Sequence, residues 1–201
     1  MPNSRTEPKQ ERARRTRGQI LAVAAELFAQ RGYATVTLQD VAERASMTKG
    51  AVYFHYKNKE DLAVAVVREH YGRWPGILEK VSLRELPAFE ALVEVLAQVS
   101  RTFHEDVMVQ AGARLQIERS LIEADLPEPY VGWEDYLTEL VEAVEKAGEL
   151  REGITPRAAA RIIVATFFGM QHISDVLTRR ADLAERQAEL HTVLLDGLRR
   201  P

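Results

Sequence analysis

Thr48, Lys49, Gly50 and Ala51 stand in a row in this 201-residue chain: a hydroxyl, an ammonium and two residues with almost no side chain. That set suits contact with base edges in a DNA groove. Small residues allow close approach, and a lysine can donate to guanine O6 or N7. Around it lie groups suited to phosphate oxygens. Thr37 offers a hydroxyl beside the free N–H groups of a helix start. Tyr53 and His55 offer donors on the outward side of the segment that begins at Thr48. Lys59 stands at a further helix start, where dipole and ammonium both favour an anion. Contacts of this second kind fix register without reading sequence.

Other chemistries find little support. The chain has no cysteine, so disulfides, thiolate metal sites and a cysteine nucleophile are excluded, and a reducing cytosol is the natural setting. His104, His172 and His191 do not stand at metal-ligand spacing with one another or with nearby acids. There is no HExxH pair, Gly-rich phosphate loop or nucleophile elbow. The residues therefore imply no metal, no cofactor and no enzyme.

The net charge of −3 taken alone argues against a nucleic-acid partner, but its distribution reverses that judgement. Residues 1–60 hold 11 Lys and Arg against 6 Asp and Glu, whereas the other 141 hold 16 against 24. A basic head on an acidic body concentrates positive field in one part of the molecule. The most apolar stretch, Ala158 to Met170, is interrupted by Arg161 and is shorter than the ~20 residues a bilayer span needs. With no apolar run near the N-terminus to serve as a signal peptide, a soluble, cytoplasmic protein is expected, with no membrane partner.

The elements that must position these residues are helices throughout. Residues 1–15, with Pro2, Pro8 and five basic residues, read as a flexible basic arm, either a solvated tail or a segment adding phosphate or minor-groove contacts. Ile20, Ala24, Leu27 and Phe28 mark a helix from about Arg17, stopped at Gly32. Thr37 followed by Asp40 gives an imperfect capping box for a short helix through Leu38, Val41, Ala42 and Ala45. Ser46 and Met47 break it, and Thr48 caps a second short helix to about Tyr56. Asn58 can cap a fourth, to about Arg73. Two short capped helices joined at Ser46–Met47 match a helix-turn-helix, in which the first braces the second against the major groove. Beyond them, apolar stripes run through Phe89–Phe103, Val107–Glu123, Trp133–Val144 and Leu183–Leu198. A further helix, capped by Thr155 with Pro156 at its first position, is apolar nearly all round and must be covered on more than one side. The fold class is all-α, with no convincing strand.

The run "TLQDVAERASMTKGAVYFHYKNKEDL", preceded by "AAELFAQRGYATVT", resembles the DNA-binding domain of the tetracycline-repressor (TetR) family. The "GY" after the first helix, the threonine cap of the second, the "TKGAVYFHY" recognition helix and the "KNKEDL" start of the fourth all fit. The resemblance implies a homodimer of roughly nine helices per subunit. Its helix-turn-helix would bind a pseudo-palindromic operator in double-stranded DNA, and a small molecule in the C-terminal domain would release it. On this reading residues 1–15 are the arm, 16–60 the helix-turn-helix domain and 61–201 the ligand-binding and dimerisation domain. The last two long helices would build the two-fold interface.

A narrower likeness is to the γ-butyrolactone receptor branch, including receptors for butenolide and furan signals. It rests on "TKGAVYFHY" with "KEDLA", on a tryptophan placed like Trp133, and on "TFFGMQHIS". In that branch the tryptophan lines the signal pocket. The resemblance thus implies a butyrolactone-type effector at Trp133, for which the alternative is a plain core position. By their own types Phe103, Arg114, Gln116, Tyr136, Thr166 and Gln171 are either walls or polar points of the same cavity or structural residues; Thr166 and Gln171 are polar within a helix that otherwise wants burial. His70 faces either the pocket or solvent. The alternative is a relative that controls an efflux or metabolic gene and responds to a different apolar ligand.

Overall fold

A computed structural model describes residues 6–201, with side chains from Lys9 onward. Among these residues there is no strand, and one isolated bridge pairs Leu150 with Arg199. Helix α1 spans Thr6–Arg31. The loose arm expected over residues 1–15 is corrected from Thr6 on, and residues 1–5 lie outside the described residues. Lys9 to Arg15 is a run of good helix formers, and Pro8 falls in the first turn, where no amide donor is required. The apolar face starts only at Ile20, so periodicity alone detects only the second part of the helix. Gly32 ends it in the left-handed region (φ 79°) and returns its N–H to the Phe28 carbonyl at 2.9 Å, a stop for which glycine carries no Cβ penalty.

Helices α2 (Leu38–Arg44) and α3 (Lys49–His55) follow. The turn between them closes with Met47 N–H on the Ala42 carbonyl at 2.9 Å. Helix α4 spans Lys59–Ser82 and contains Pro75, so it continues past the expected end near Arg73. Asn58 Oδ1 accepts from Asp61 N–H at 2.7 Å at its start. Then come α5 (Ala88–Glu105), α6 (Val107–Ile117) and a 3₁₀ turn at Arg119–Leu121. They are followed by α7 (Val131–Lys146), α8 (Pro156–Thr178) and α9 (Leu183–Leu190). The expected final helix to Leu198 is interrupted after α9 by a π turn, His191–Leu195. The wider turn accommodates the five-residue step between the buried Leu190 and Leu195.

The chain forms two compact units, and they divide differently from the expected 16–60 and 61–201. The first runs to Arg73 and includes Asp106–Pro127; the second is Trp74–Glu105 with Glu128–Pro201. The reason lies in the core. Helix α1 and the two short helices α2 and α3 cannot by themselves close around Phe28, Val41 and Val52. Leu62, Val66 and Val67 of α4 and Met108, Ala111 and Leu115 of α6 complete the same buried cluster. In the second unit, Leu92, Leu96 and Val99 of α5, Leu137, Val141 and Val144 of α7, and Ile163, Val164 and Phe167 of α8 are buried.

Candidate DNA-binding face and effector site

Helix α3 gives one side chain, Val52, to the core. Thr48 caps it by accepting from Ala51 N–H at 3.2 Å. Lys49, Gly50, Tyr53 and Phe54 are exposed, and Ala51 and His55 are half-buried. The Lys49 ammonium lies 5.6 Å from the centre of the Tyr53 ring, one turn along, which holds both on the outward face. A Cβ built on Gly50 would meet no atom of the chain within 4 Å. Glycine inside a helix costs about 1 kcal/mol relative to alanine, and internal packing gives no reason for it here. Sequence reading missed Phe54, which is 82% exposed. The available signal was its place two residues after Val52, which puts it on another side of the helix.

Two of the expected phosphate contacts are spent inside the protein. Thr37 forms a complete capping box with Asp40. Its hydroxyl accepts from Asp40 N–H at 3.1 Å and donates to Asp40 Oδ2 at 2.5 Å, and its own N–H reaches that oxygen at 2.8 Å. These bonds, aided by Arg31, hold the Asp40 carboxyl below its ordinary range. Lys59 turns toward Tyr33, donating to its carbonyl at 3.0 Å with the ammonium 4.0 Å from its ring centre. The start of α4 also carries Glu60 and Asp61, which disfavours an anion there. His55 borders a groove of about 530 Å³ with Arg17 and Arg68, whose walls also carry Asp61 and Glu69. Its surroundings are therefore mixed in sign.

Tyr33 links three elements. Its hydroxyl donates to Glu60 Oε1 at 2.5 Å and its N–H to Glu118 Oε2 at 2.5 Å. Burial first, then Glu60, raises its phenol pKa. Arg114 donates to Glu118 at 3.0 Å and to the Ala29 carbonyl near the end of α1 at 2.9 Å. Arg114, a candidate pocket residue by sequence, instead clamps α6 to α1.

In the second unit, rings gather around Phe103. Its ring centre is 5.9 Å from those of Trp74, Phe167 and Phe168. Trp133 lies 5.1 Å from Trp74 and 6.2 Å from Tyr136. Phe103 and Trp133, distant in sequence, thus share one aromatic cluster. Gln171 stands one turn after Phe167 on the buried face of α8. Thr166 does not join them. It is exposed, on the flank of α8 that it shares with Ile162 and Ile173. A helix apolar all round hides from periodicity which face is inward.

Gln116 and His70 belong to the first unit. Gln116 Nε2 donates to the Tyr71 hydroxyl at 3.1 Å and to the Pro127 carbonyl at 2.9 Å. His70 is buried rather than solvent-facing, with its ring against Gly112. Burial lowers its pKa from 6.5 to about 4, opposed by a backbone hydrogen bond at Val109 and by Asp106. Among the described residues no three His, Asp or Glu side chains group as a metal site, and no helix is long and apolar enough to cross a membrane.

A helix-turn-helix that turns nearly all of its second helix outward, followed by a larger helical unit, defines a DNA-binding regulator. Residues 20–66 match the family described as bacterial regulatory proteins, tetR family, and residues 86–200 match the tetracyclin repressor-like C-terminal domain. The chain belongs to the TetR family. It is a DNA-binding transcriptional regulator of that family and not an enzyme. It is 33% identical over 193 residues to the A-factor receptor protein of Streptomyces griseus, covering 96% of this chain and 67% of that one. A solved structure described as the molecular basis for control of antibiotic production by bacterial hormones is 50% identical. It superposes with a TM-score of 0.85 over 92% of this chain and 98% of that one. A γ-butyrolactone receptor (ArpA-like protein) is 28% identical, with a TM-score of 0.79 over 94% and 90% of the two chains.

Proposed function

We propose that a two-fold dimer of this chain represses transcription in the cytoplasm by laying α3 into successive major grooves of a pseudo-palindromic operator, and that a butyrolactone-like signal held in the second unit releases it. Thr48, Lys49, Gly50 and Ala51 approach base edges, and Tyr53 and His55 meet the backbone. Thr37 and Lys59 act chiefly by fixing the helix starts. The observation that carries the DNA half is the open space over Gly50, on a helix that buries only Val52. The receptors this chain resembles support the signal class, and the aromatic cluster around Trp133 and Phe103 supplies an apolar wall with few polar points. The exposed apolar face of α8, with Ile162, Ile173, Val176 and Leu177, supports a dimer through the late helices.

Gel shifts of DNA upstream of the gene across a salt series test this. Binding should weaken steeply with salt, with a slope of about −0.9 per phosphate contacted. Lys49→Ala and Tyr53→Ala should remain folded dimers and lose operator binding; unchanged affinity in both would refute the assignment of α3. Trp133→Ala should raise the concentration of acyl butyrolactone needed for release, and an unaltered dose response removes Trp133 from the site.

A further inference from the structure

Gln171 is 4% exposed, yet among the described residues neither its Oε1 nor its Nε2 has a hydrogen-bond partner. A buried amide left in this condition destabilises the folded chain. Its polar neighbour one turn on is already satisfied, since Ser174 donates to Asp182 at 2.5 Å. Phe167 and Phe168, four and three residues before it, belong to the aromatic cluster. The buried polar residues of the second unit are Ser100, Thr102, Gln171 and Ser174, so no Lys, Arg, Asp or Glu is buried there among the described residues. Arg180, the least exposed cation at the end of α8, is already paired with Asp175 at 2.9 Å. An ionised ligand group beside Gln171 would lack a buried counter-charge of its own, and burying an unpaired charge is strongly unfavourable.

We infer that Gln171 is the polar anchor of the effector, and that the effector is uncharged and presents an acceptor and a donor side by side. The Nε2–H donates to a carbonyl or ring-ester oxygen, while Oε1 accepts from an adjacent O–H or N–H. Molecules of this class include an acyl lactone carrying a hydroxymethyl group, a carboxylic acid bound in its protonated form, and a lactam. The inference rests on the reading that the second unit holds the signal, and it narrows the signal's chemistry. A site built to pair both atoms of an amide discriminates strongly against an analogue lacking one of them.

The test uses the full-length dimer, wild type and Gln171→Met, with two probes: a 2-acyl-3-hydroxymethyl-γ-butyrolactone and its O-methyl ether, which lacks the donor. Without ligand, Gln171→Met should melt about 2–4 °C higher than wild type, because the variant no longer buries unpaired polar atoms. A glutamine with a structural role, or one satisfied by a trapped water, predicts a fall. The free-hydroxyl lactone should release wild type from operator at a concentration at least ten-fold below that of the ether, and the methionine variant should treat the two alike. A lower melt for Gln171→Met, or undiminished preference for the hydroxyl in that variant, overturns the inference. If neither lactone shifts the melt of wild type, the butyrolactone reading fails, and the ligand-free melt of the variant decides the role of Gln171 by its sign.

Discussion

Gly112→Ala should destabilise the protein even though alanine is the better helix former. A Cβ on Gly112 would fall on His70 Cβ, 2.5 Å from its Cγ and 2.9 Å from its Nδ1, whereas carbons in contact prefer about 3.5–4.0 Å. The obstacle is the root of the His70 side chain, so a rotamer change cannot relieve it; α4 and α6 must move apart. Overpacking of this kind costs about 1–3 kcal/mol, and a clash of more than an ångström with a side-chain root belongs at the upper end. Removing a helical glycine returns about 1 kcal/mol. The net loss is about 2 kcal/mol, or roughly 4–8 °C in Tm for a chain of this size. The histidine background separates this account from a general sensitivity of α6. His70→Ala keeps the Cβ, so Gly112→Ala should remain unfavourable in it. His70→Gly removes the Cβ, and there the same change should become favourable by about 1 kcal/mol. Urea melts of the single and double variants at one protein concentration close the cycle. Equal stability of wild type and Gly112→Ala, or full relief in the His70→Ala background, refutes the steric argument.

Gly50→Ala should behave in the opposite way on stability, since the added methyl meets nothing. A gain of about 1 kcal/mol should accompany at least a ten-fold loss of operator affinity, read by melting and by fluorescence anisotropy. The His70 pKa of about 4 in the folded chain, against 6.5 when unfolded, means that the unfolded state takes up a proton that the folded state refuses. Stability from this source is complete above pH 6.5 and falls as pH drops toward 4, by about 3 kcal/mol. The difference between wild type and His70→Gln in urea melts at pH 7.5 and 4.5 should show that slope, and parallel pH dependence would count against it. Placing Asp at both Ile173 and Val176, exposed apolar positions on α8, should give a folded monomer by sedimentation with weakened operator binding; an unchanged dimer would move the interface elsewhere.

What the sequence made legible is local. The caps at Thr37, Thr48, Asn58 and Thr155 were readable because each signal spans four residues, and the structure places a side-chain acceptor at every one. Gly32 was readable as a stop for the same reason. The legible part of the candidate site is α3, where one buried valine among small and polar residues marks the outward face. The bond made by Lys59 was not legible because its partner, Tyr33, is 26 residues away and nothing nearby announces it. The exposure of Thr166 was not legible because both faces of α8 are apolar, so that the buried side is chosen by α7 and α5 and not by the helix itself. The start of α1 was missed because helix propensity without an apolar face leaves no periodic signal.

The membership of α6 was the least legible feature, and it changes how the head is understood. Its eleven residues are fastened on two sides within the first unit. One side carries Gly112 and Gln116, which receive His70 and Tyr71 of α4. The other carries Arg114, with Glu118 just past the helix end, and these hold the Ala29 carbonyl and the Tyr33 N–H at the end of α1. Gly32 is glycine for this second fastening as well as for its φ, because a Cβ there would come within 2.6 Å of Glu118 Oε1. From Tyr33 the chain reaches the Thr37 cap of α2 in four residues, and the Tyr33 hydroxyl and carbonyl hold Glu60 and Lys59 at the start of α4. A displacement of α6 of even an ångström must therefore either break charge-assisted hydrogen bonds or carry with it the ends of the helices that frame the helix-turn-helix. Close packing around Ala111 and Leu115 leaves little room for gradual accommodation. Residues whose polarity suggested ligand contact in the sequence, His70, Arg114 and Gln116, thereby acquire a mechanical task. They tie α6 to the end of α1 and to α4, the helices that flank the helix-turn-helix.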